Sequence, residues 1–514
     1  MIRIEILRFL FVRLLIKRGH NILEIAYEKL LEAEESRRAG SLEVAERIVR
    51  SLLDEYPSYW GAQHTLGLVH YDKSEFDHAY ASLSRAMLLN PGNPLTLAIF
   101  ARTCLELGAF ELAARTLNSA IEIDPQNSHI LFAYGELHRH RQEFDIAVKF
   151  YRSAINVNPN NVQATTAIAS CLRKIGLMAE AATLLQSQLP LRMFEPLVEL
   201  SALPSEINEV DLLDELAKVS APPPHKAKEY QVATAFIKAT GLYRRGEFED
   251  AWSQLVEANR FAITGREAEL EERRAYEKAT LEATQAVFGR YKIRQHQPDW
   301  PLSVLILGPS SSGKSTVERL LSAGERVHTC FESRILQESM QSTFLDAGLL
   351  PGKSLGLLPT ELHEEFRDRY HKALRKKNSS SAIFTITRPS LISDAVRIAA
   401  VIPNIRFIFL RRRLEDTLLR IFMKHYRSGN VYSYNLDAAR QHILWYEELM
   451  NFVSRCFPEI SFQVQYEELI ENPVKVVGEA KQFIGINAAP MGIPEVGDDR
   501  GCAAPFSRFL SPAS

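Results

Sequence analysis

This chain of 514 residues lacks the usual marks of several protein classes. It has five scattered cysteines and no Cys-x-x-Cys pair, so neither a disulfide framework nor a cysteine zinc site is expected. Its formal net charge of −2 gives no general attraction to nucleic acid. Hydrophobic residues make up 46% and charged residues 24%, as in ordinary globular proteins, and the length predicts two or more domains. The cysteine usage favours a reducing compartment, so we expect the cytoplasm.

The start of the chain also lacks a long uncharged apolar run. Residues 2–16 are apolar but are interrupted by four charged side chains, Arg3, Glu5, Arg8 and Arg13. These charges argue against a membrane span, and no small-residue cleavage site follows that would indicate a signal peptide. Residues 1–24 are predicted to form a basic amphipathic helix. Two roles remain open for it: a weak contact of residues 2–18 with a membrane surface, or a cap on the helical repeats that follow.

A period of 34 residues runs through the N-terminal third. Prolines keep this spacing at Pro57, Pro91, Pro125 and Pro159, and alanines at Ala45, Ala79, Ala113, Ala147 and Ala181. A column of small residues has the same period: Ala33, Gly67, Ala101, Gly135 and Ala169. So has a column of larger apolar residues: Val49, Leu83, Leu117, Tyr151 and Leu185. The pattern predicts two antiparallel helices per unit, which cross at the small residues and end at proline. Period and residue types resemble the tetratricopeptide repeat.

This resemblance predicts an all-α solenoid of about five repeats at residues 25–188. A partly helical linker at 189–228 then leads to a further repeat-like unit at 229–265, and a connecting helix is expected at 266–300. Residues 488–514 are rich in Pro, Gly and Ala and are predicted to form a poorly ordered tail. Solenoids of this kind bind partners on their concave face. We therefore expect a protein partner or self-association there, with a purely architectural role as the alternative.

Residues 301–487 open with a candidate phosphate-binding loop. An apolar strand, Val304–Leu307, leads into Gly308–Ser315, which fits the pattern Gly-x-x-x-x-Gly-Lys-[Ser/Thr], and a helix follows. In this setting the loop amides and the helix N-terminus converge on an anion, and Lys314 adds a positive charge. The sequence therefore predicts an α/β domain with a parallel central sheet that binds phosphate or sulfate. A merely structural turn is the alternative.

The expected strands of this domain lack an acidic residue at their ends. A magnesium-dependent NTPase or kinase holds its metal with such a carboxylate. Here Ala382–Thr385 is followed by Ile-Thr-Arg-Pro, and Arg406–Leu410 is followed by three arginines. Positioned arginines and amides suit the transfer of a sulfuryl group, which carries less charge than a phosphoryl group. No metal is therefore expected.

Together these segments resemble the sulfotransferase family, in particular the bacterial proteins that join tetratricopeptide repeats to a sulfotransferase domain. The likeness spans roughly Pro301–Gly485 and includes the order of the domains. It rests on four stretches that match family motifs: Ser310–Ser315, Phe331–Arg334, Arg412–Arg420 and Val464–Pro473. The resemblance implies 3′-phosphoadenosine 5′-phosphosulfate as the donor substrate, with no metal.

The resemblance also implies roles for single residues. The donor's phosphosulfate would be held by Ser312, Gly313, Lys314, Ser315 and Thr316, and its 3′-phosphate by Arg412 and Arg420. Glu332 would be the general base, and Lys314 and Arg388 would complete the catalytic group. The sequence departs from the family pattern at four positions: Ser311 stands in place of Arg, Lys314 of Thr, Thr387 of Lys and Arg420 of Ser.

The sequence therefore predicts a sulfotransferase acting on a hydroxyl or amine of an unknown acceptor, which is a carbohydrate, a lipid, a peptide or a small molecule. Two alternatives remain open. The departures from the family pattern favour a non-catalytic repeat scaffold with a degenerate domain, and the complete loop pattern is typical of a kinase or NTPase. Glu332 as an ion-pair partner of Arg334, and the consecutive arginines as a solvated patch, are the structural alternatives for single residues.

Overall fold

The computed structural model describes residues 21–159, 161–222, 224–287, 289–322, 327–349, 354–426, 429–486 and 498–510. Nearly all of the helix predicted at 1–24 lies outside these ranges, and its two roles stay predictions. The chain divides into two compact units, Met1–Ile237 and Lys238–Ser514. Within the described ranges no helix has the length and apolar character needed to cross a membrane.

The first unit is a row of antiparallel helix pairs. Five pairs are formed by α1 (Asn21–Arg38) and α2 (Leu42–Glu55), α3 (Trp60–Asp72) and α4 (Phe76–Leu89), α5 (Pro94–Glu106) and α6 (Phe110–Ile123), α7 (Ser128–His140) and α8 (Phe144–Val157), and α9 (Val162–Lys174) and α10 (Met178–Gln186). The second helix of each pair begins 34 residues after that of the pair before. The predicted all-α repeat is therefore confirmed.

The small-residue column lies where paired helices cross. A Cβ atom added at Gly67 would lie 2.5 Å from Leu83 Cγ, and one added at Gly135 would lie 2.4 Å from Tyr151 Cδ1. Leu83 and Tyr151 belong to the larger apolar column and are fully buried. The two sequence columns thus meet in space, with the small residue of one helix under the large residue of the next.

We expect Gly135→Ala to lower the free energy of unfolding by about 1–2 kcal/mol, because overpacking costs about 1–3 kcal/mol and alanine's better helix propensity returns about 1 kcal/mol at most. Urea unfolding followed by circular dichroism measures the change. Gly92→Ala is the matched control, since its Cβ meets nothing within 4 Å. Equal effects of the two substitutions would contradict the close-crossing argument.

The predicted linker is compact in its described part. It contains α11 (Phe194–Ser201) and α12 (Leu212–Leu216). Leu197, Leu200 and Leu203 are buried in the same core as the last two repeats. Three longer helices follow: α13 (Ala227–Arg244), which crosses the division between the units, α14 (Phe248–Ile263) and α15 (Glu267–Gln285). A tight turn at Gly246, with φ of 79°, joins α13 to α14.

The second unit contains a five-stranded parallel sheet in the order β2-β3-β1-β4-β5. Its strands are β1 (Leu302–Leu307), β2 (Val327–Thr329), β3 (Ile383–Ile386), β4 (Ile405–Arg411) and β5 (Ser461–Gln465). In the central register Leu305 pairs with Ile386 on one side and Phe407 on the other. The parallel sheet predicted for residues 301–487 is confirmed.

Helices cover both faces of this sheet, as a buried parallel sheet requires. They are α16 (Lys314–Ser322), α17 (Ile335–Asp346), α18 (His363–Lys377), α19 (Ala395–Val401), α20 (Leu414–Phe422), α21 (Leu436–Cys456), α22 (Tyr466–Glu471) and α23 (Pro473–Phe483). A hydrophobic core lies on each face of the sheet, and alternate residues of β1 point to opposite faces. Leu305 and Leu307 are buried in one core, and Val304 and Ile306 in the other. Helix α15 packs on the same face as α21, since Trp445 Nε1 on α21 donates to Glu277 O on α15 at 2.8 Å.

Part of the segment predicted as a poorly ordered tail is folded onto the second unit. Residues 498–510 include a last short helix, α24 (Ser507–Leu510). Phe506 is 1% exposed and packs against the rings of Tyr243, Phe248 and Trp252, with ring centroids 5.7–5.9 Å away. Burial of Phe506, together with that of Ala503 and Leu510, thus orders a segment whose composition alone favours disorder. Residues 487–497 and 511–514 lie outside the described ranges.

Candidate functional site

The phosphate-loop sequence lies between β1 and α16. At β1 the chain changes direction across the sheet, because β3 lies on one side of it and β4 on the other. This is the place where open parallel sheets bind ligands. Two glycines of the loop have no room for a side chain: a Cβ at Gly308 would lie 2.8 Å from Leu410 O, and one at Gly313 would lie 2.6 Å from Tyr466 Cδ2. Gly313 and Ser311 also have left-handed backbones, with φ of 99° and 63°. Packing against β4 and α22 therefore sets the path of the loop.

The loop's hydroxyl side chains have different surroundings. Ser312 is fully buried, and among the described residues its Oγ has no hydrogen-bond partner. Ser315 is exposed and Thr316 is half-buried in the first turn of α16. Ser310 Oγ lies 2.6 Å from the hydroxyl of Tyr426. An unsatisfied buried hydroxyl is rare in folded proteins, and it leaves the hydrogen-bonding capacity of Ser312 Oγ unused within the described residues.

Lys314 is directed into the loop. Its Nζ donates to the carbonyl oxygens of Gly308 at 2.9 Å and Pro309 at 2.6 Å, and the residue is 7% exposed. Burial lowers the pKa of Lys314 to about 7, and the nearby Glu332 carboxylate acts in the opposite direction. The loop thus holds an amine whose charge depends on what negative groups surround it.

Glu332 is placed by a strained turn after β2. Phe331, a non-glycine residue, has φ of 41°. Its N–H donates to Glu318 Oε1 at 3.2 Å, and its carbonyl accepts from Thr387 N at 2.8 Å. Such a conformation persists only where surrounding contacts fix it. The turn half-buries Glu332 close enough to Lys314 for the two charges to interact.

Glu318 lies one helical turn after Lys314 and is buried beneath this turn. Its Oε1 also accepts from Thr385 Oγ1 at 2.6 Å. Burial raises the pKa of Glu318 to about 7, and its hydrogen bonds act against the shift. One helix therefore carries the loop lysine and the acid that supports the Glu332 turn. Glu318 is not among the residues predicted from the sequence, although its spacing of four from Lys314 places both on one face of α16.

Arg388 and Thr387 follow β3 and meet the same turn. Arg388 Nη1 donates to the carbonyl of Glu332 at 3.2 Å. Burial lowers the pKa of Arg388, with a further lowering from Arg334. Thr387 is 1% exposed, and within the described part of the chain its Oγ1 has no hydrogen-bond partner. The three predicted catalytic residues, Lys314, Glu332 and Arg388, are thus brought to one edge of the sheet.

Arg412 and Arg420 converge beside the loop. Arg412 has a side chain 3% exposed, and its Nη1 donates to Ser311 O at 3.2 Å. Arg420 lies on α20, and its side chain is 48% exposed. Both guanidinium groups contact the carboxylate of Asp499: Arg412 Nη2 lies 3.1 Å from Oδ1, and Arg420 Nε lies 3.3 Å from Oδ2. The structure therefore brings the predicted pair together beside the phosphate loop, where both side chains contact Asp499.

Two tyrosines complete this part of the site. Tyr466 packs its ring under Arg412, with the guanidinium carbon 4.5 Å from the centroid, and its hydroxyl donates to Asp499 Oδ1 at 2.5 Å. Tyr426 is buried at the tip of the loop, which raises its pKa to about 12. From the sequence, Tyr466 is recognised only as part of the matching stretch Val464–Pro473, and Tyr426 is not among the candidate residues. Neither residue lies in the loop motif, and no local pattern connects them to it.

In the described residues one group of side chains has the geometry to hold a metal ion, and it lies in the solenoid. It consists of His70, Glu75 and His78, whose ligand atoms lie within 4.8 Å of one another. The His70–Glu75 hydrogen bond of 2.7 Å recurs at the same length in His138–Glu143, two repeats later. The His–Glu pair recurs without an equivalent of His78, so we interpret its hydrogen bond as one that stabilises the turn of the repeat.

The solenoid carries a large groove of its own. Its volume is about 1920 Å³, and its walls come from several repeats. Arg102 is one of the residues that line it, with its guanidinium carbon 5.0 Å from the ring centroid of Tyr71 and 5.1 Å from that of Phe132. A half-buried cation between two aromatic rings offers both charge and apolar surface to a bound segment.

Comparisons with known proteins agree with this division of the chain. Residues 301–490 match the profile described as the sulfotransferase family, and residues 70–137 match the tetratricopeptide repeat. A sequence comparison with curated proteins finds no match.

The solved structures that the chain resembles over part of its length include MamA, YrrB and TTC0263. MamA from Desulfovibrio magneticus RS-1 is 13% identical, with 32% of this chain and 94% of that chain covered and a TM-score of 0.27. YrrB, described as a TPR protein with an unusual peptide-binding site, is 17% identical, with 34% and 90% covered and a TM-score of 0.25. A thermophilic TPR protein of Thermus thermophilus, TTC0263, is 15% identical, with 41% and 98% covered and a TM-score of 0.30.

Proposed function

Because residues 301–490 are a sulfotransferase family domain and the chain also carries tetratricopeptide repeats, we propose that it is a sulfotransferase using 3′-phosphoadenosine 5′-phosphosulfate. One observation carries the proposal. The phosphate loop and the Arg412–Arg420 pair are two positive subsites joined by the hydrogen bond from Arg412 Nη1 to Ser311 O. Two linked subsites suit a nucleotide with anionic groups on both its 5′ and 3′ positions.

The residues at each subsite fit such a donor. At the loop, the buried Ser312 hydroxyl lacks a partner among the described residues, and Lys314 Nζ donates to two backbone carbonyls of the loop itself. Loop amides, this lysine and the start of α16 would hold the 5′-phosphosulfate. At the second subsite, two arginines already bind an anionic group, the Asp499 carboxylate. They would hold the 3′-phosphate instead.

Transfer would take place between Glu332 and the loop. The acceptor oxygen or nitrogen attacks sulfur and forms a new bond to it, while the bond from sulfur to the 5′-phosphate oxygen breaks and that oxygen keeps the electron pair. The acceptor's proton passes to Glu332. Lys314, next to the leaving oxygen, and Arg388, next to the Glu332 turn, would stabilise the negative charge that develops. The positions of these side chains support the roles, and no metal is needed for any of them.

The groove of the solenoid is proposed to receive a protein partner or a second copy of the chain. Its size of about 1920 Å³ and the cation between two rings support this role. Because the repeats continue into each other, a bound segment would contact several of them at once. The acceptor would then be brought to the enzyme by a surface separate from the catalytic residues.

A second candidate function is a non-catalytic scaffold. The observation that favours it is the Asp499 carboxylate, which occupies the arginines that a donor would need. The complete phosphate-loop pattern keeps a kinase or NTPase as a third candidate. These three functions predict different ligands.

Calorimetric titration of the full chain separates them. We expect tight binding of adenosine 3′,5′-bisphosphate, and a loss of roughly 10- to 100-fold in affinity for Arg412→Ala, since hydrogen bonds to charged groups contribute about 1.5–3 kcal/mol. Arg413→Ala is the matched control, because its exposed side chain lies next in sequence but outside the subsite. Binding of magnesium-ATP without the bisphosphate would support an NTPase, and binding of neither would support the scaffold.

A further inference from the structure

The two arginines of the second subsite already hold a carboxylate from the same chain. Asp499 accepts from Arg412 Nη1 at 3.2 Å through Oδ2 and from Tyr466 at 2.5 Å through Oδ1, and it lies 3.3 Å from Arg420 Nε. Its backbone carbonyl accepts a further bond from Arg412 Nη2 at 2.9 Å. The donors that face a phosphate in our proposed function are therefore engaged by an internal anion.

The segment that carries Asp499 is fixed on both sides of the subsite. Asp416, 2% exposed on α20, accepts from the N–H groups of Gly501 at 2.9 Å and Ala503 at 3.0 Å. Further along, Phe506 is buried in its aromatic cluster. Asp499 itself keeps 30% of its side chain exposed. The carboxylate is thus held at the subsite by its own backbone, yet it remains open to solvent and to exchange.

A carboxylate and a phosphate monoester use the same donors here. Both accept charge-assisted hydrogen bonds from guanidinium groups, and the phosphate carries more charge and one more terminal oxygen. The Nη1 and Nη2 groups of Arg412 already donate to Ser311 O and to the carboxylate and carbonyl of Asp499, so a phosphate gains these donors only when the carboxylate leaves them. A ligand's 3′-phosphate must therefore displace the Asp499 carboxylate to reach Arg412 and Arg420.

We propose that Asp499 is a specificity-determining residue, an internal competitor that the 3′-phosphate of the nucleotide displaces from Arg412 and Arg420. This inference rests on the proposed function. The affinity for the 3′-phosphate then depends on the difference between two binding free energies at one site, that of the phosphate and that of the Asp499 carboxylate. Nucleotides without a 3′-phosphate leave the Asp499 contacts intact and use the phosphate loop alone.

The test compares two neighbouring aspartates in the full chain. Asp499→Asn keeps the size of the side chain and removes its charge, and Asp499→Ala removes the side chain as a second variant. Asp498→Asn is the matched control, since Asp498 forms its ion pair with Arg500, at 2.7 Å. Each is titrated calorimetrically with adenosine 3′,5′-bisphosphate and with adenosine 5′-monophosphate, and its unfolding midpoint is measured without ligand.

We expect both Asp499 variants to bind the bisphosphate about tenfold or more tightly than the unaltered chain, because the competing charge is gone. Affinity for the monophosphate should stay the same, and Asp498→Asn should change neither. Equal or weaker bisphosphate binding in both Asp499 variants overturns the inference while the proposed function stands. If the unaltered chain and every variant bind the monophosphate but gain nothing from a 3′-phosphate, the proposed donor is wrong and the inference falls with it.

Discussion

Replacing Lys314 with methionine is expected to weaken the binding of both adenosine 5′-monophosphate and adenosine 3′,5′-bisphosphate by about 100-fold, the upper range for a hydrogen bond to a charged group. The lysine is buried in the loop that would hold the 5′ group, so both ligands lose the same contact. Arg412→Ala differs, since it should affect the bisphosphate alone. Calorimetry on the two ligands separates the subsites.

The same lysine predicts a pH dependence. Burial lowers the pKa of Lys314 to about 7 in the free chain, and a bound anion favours its charged form and raises that pKa. The complex then holds more protons than the free chain above pH 7. Affinity is therefore full below about pH 7 and falls as the pH rises, approaching about tenfold per pH unit. Titration at pH 8 in buffers of different ionisation enthalpy should show proton uptake, and Lys314→Met should remove it.

Lys475→Met is the control for a general loss of charge, because Lys475 is exposed and its Nζ pairs with Glu468 at 2.8 Å. It should leave both affinities and the proton uptake unchanged. Nucleotide binding by Lys314→Met at the affinity of the unaltered chain would mean that the loop is a structural turn.

Replacing Glu332 with glutamine is expected to slow sulfuryl transfer by roughly 10²- to 10⁴-fold, the range that general-base catalysis contributes. Bisphosphate affinity should change little. The Glu332 carboxylate interacts with Lys314 only electrostatically, and the hydrogen bond from Arg388 is to the backbone carbonyl of Glu332, which the substitution keeps. The rate is measured as release of the bisphosphate from labelled donor in the presence of a mixed set of hydroxyl and amine acceptors.

Glu338→Gln is the matched control on the following helix, where Glu338 lies 4.0 Å from Arg334. It should retain the rate of the unaltered chain. A full rate in Glu332→Gln would assign the base to another group. Loss of both rate and bisphosphate binding would instead mean that Glu332 is needed to hold the Phe331 turn.

Much of the fold can be predicted from the sequence, because its signals are local or periodic. The repeat period predicts the helix pairs, and the strand predicted at Arg406–Leu410 lies within one residue of the observed Ile405–Arg411 at each end. The phosphate loop and its flanking strand and helix follow from a contiguous motif. The arginines after β4 follow from the rule that parallel strands end at one edge of a sheet.

The rest of the site depends on contacts between distant positions. Ser310 meets Tyr426 across 116 residues, and Arg412 meets Asp499 across 87. No local pattern encodes such pairs. Asp499 lies in a segment whose Pro, Gly and Ala content favours disorder, and its ordering depends on contacts with distant residues, such as the Asp416 hydrogen bonds and the burial of Phe506. The direction of Lys314 into its own loop likewise follows from packing, not from the motif.

The aromatic cluster around Phe506 also provides a built-in optical probe. Trp252 stacks on Phe509, with ring centroids 5.1 Å apart and planes at 9°, and lies 5.7 Å from Phe506. The chain has four tryptophans, and in its described part Trp252 is the one whose ring contacts residues 498–510. Its emission spectrum and its accessibility to a quencher therefore report whether residues 498–510 are packed against Trp252. A chain with Trp60, Trp300 and Trp445 replaced by phenylalanine would give this signal alone, in real time and without an attached dye.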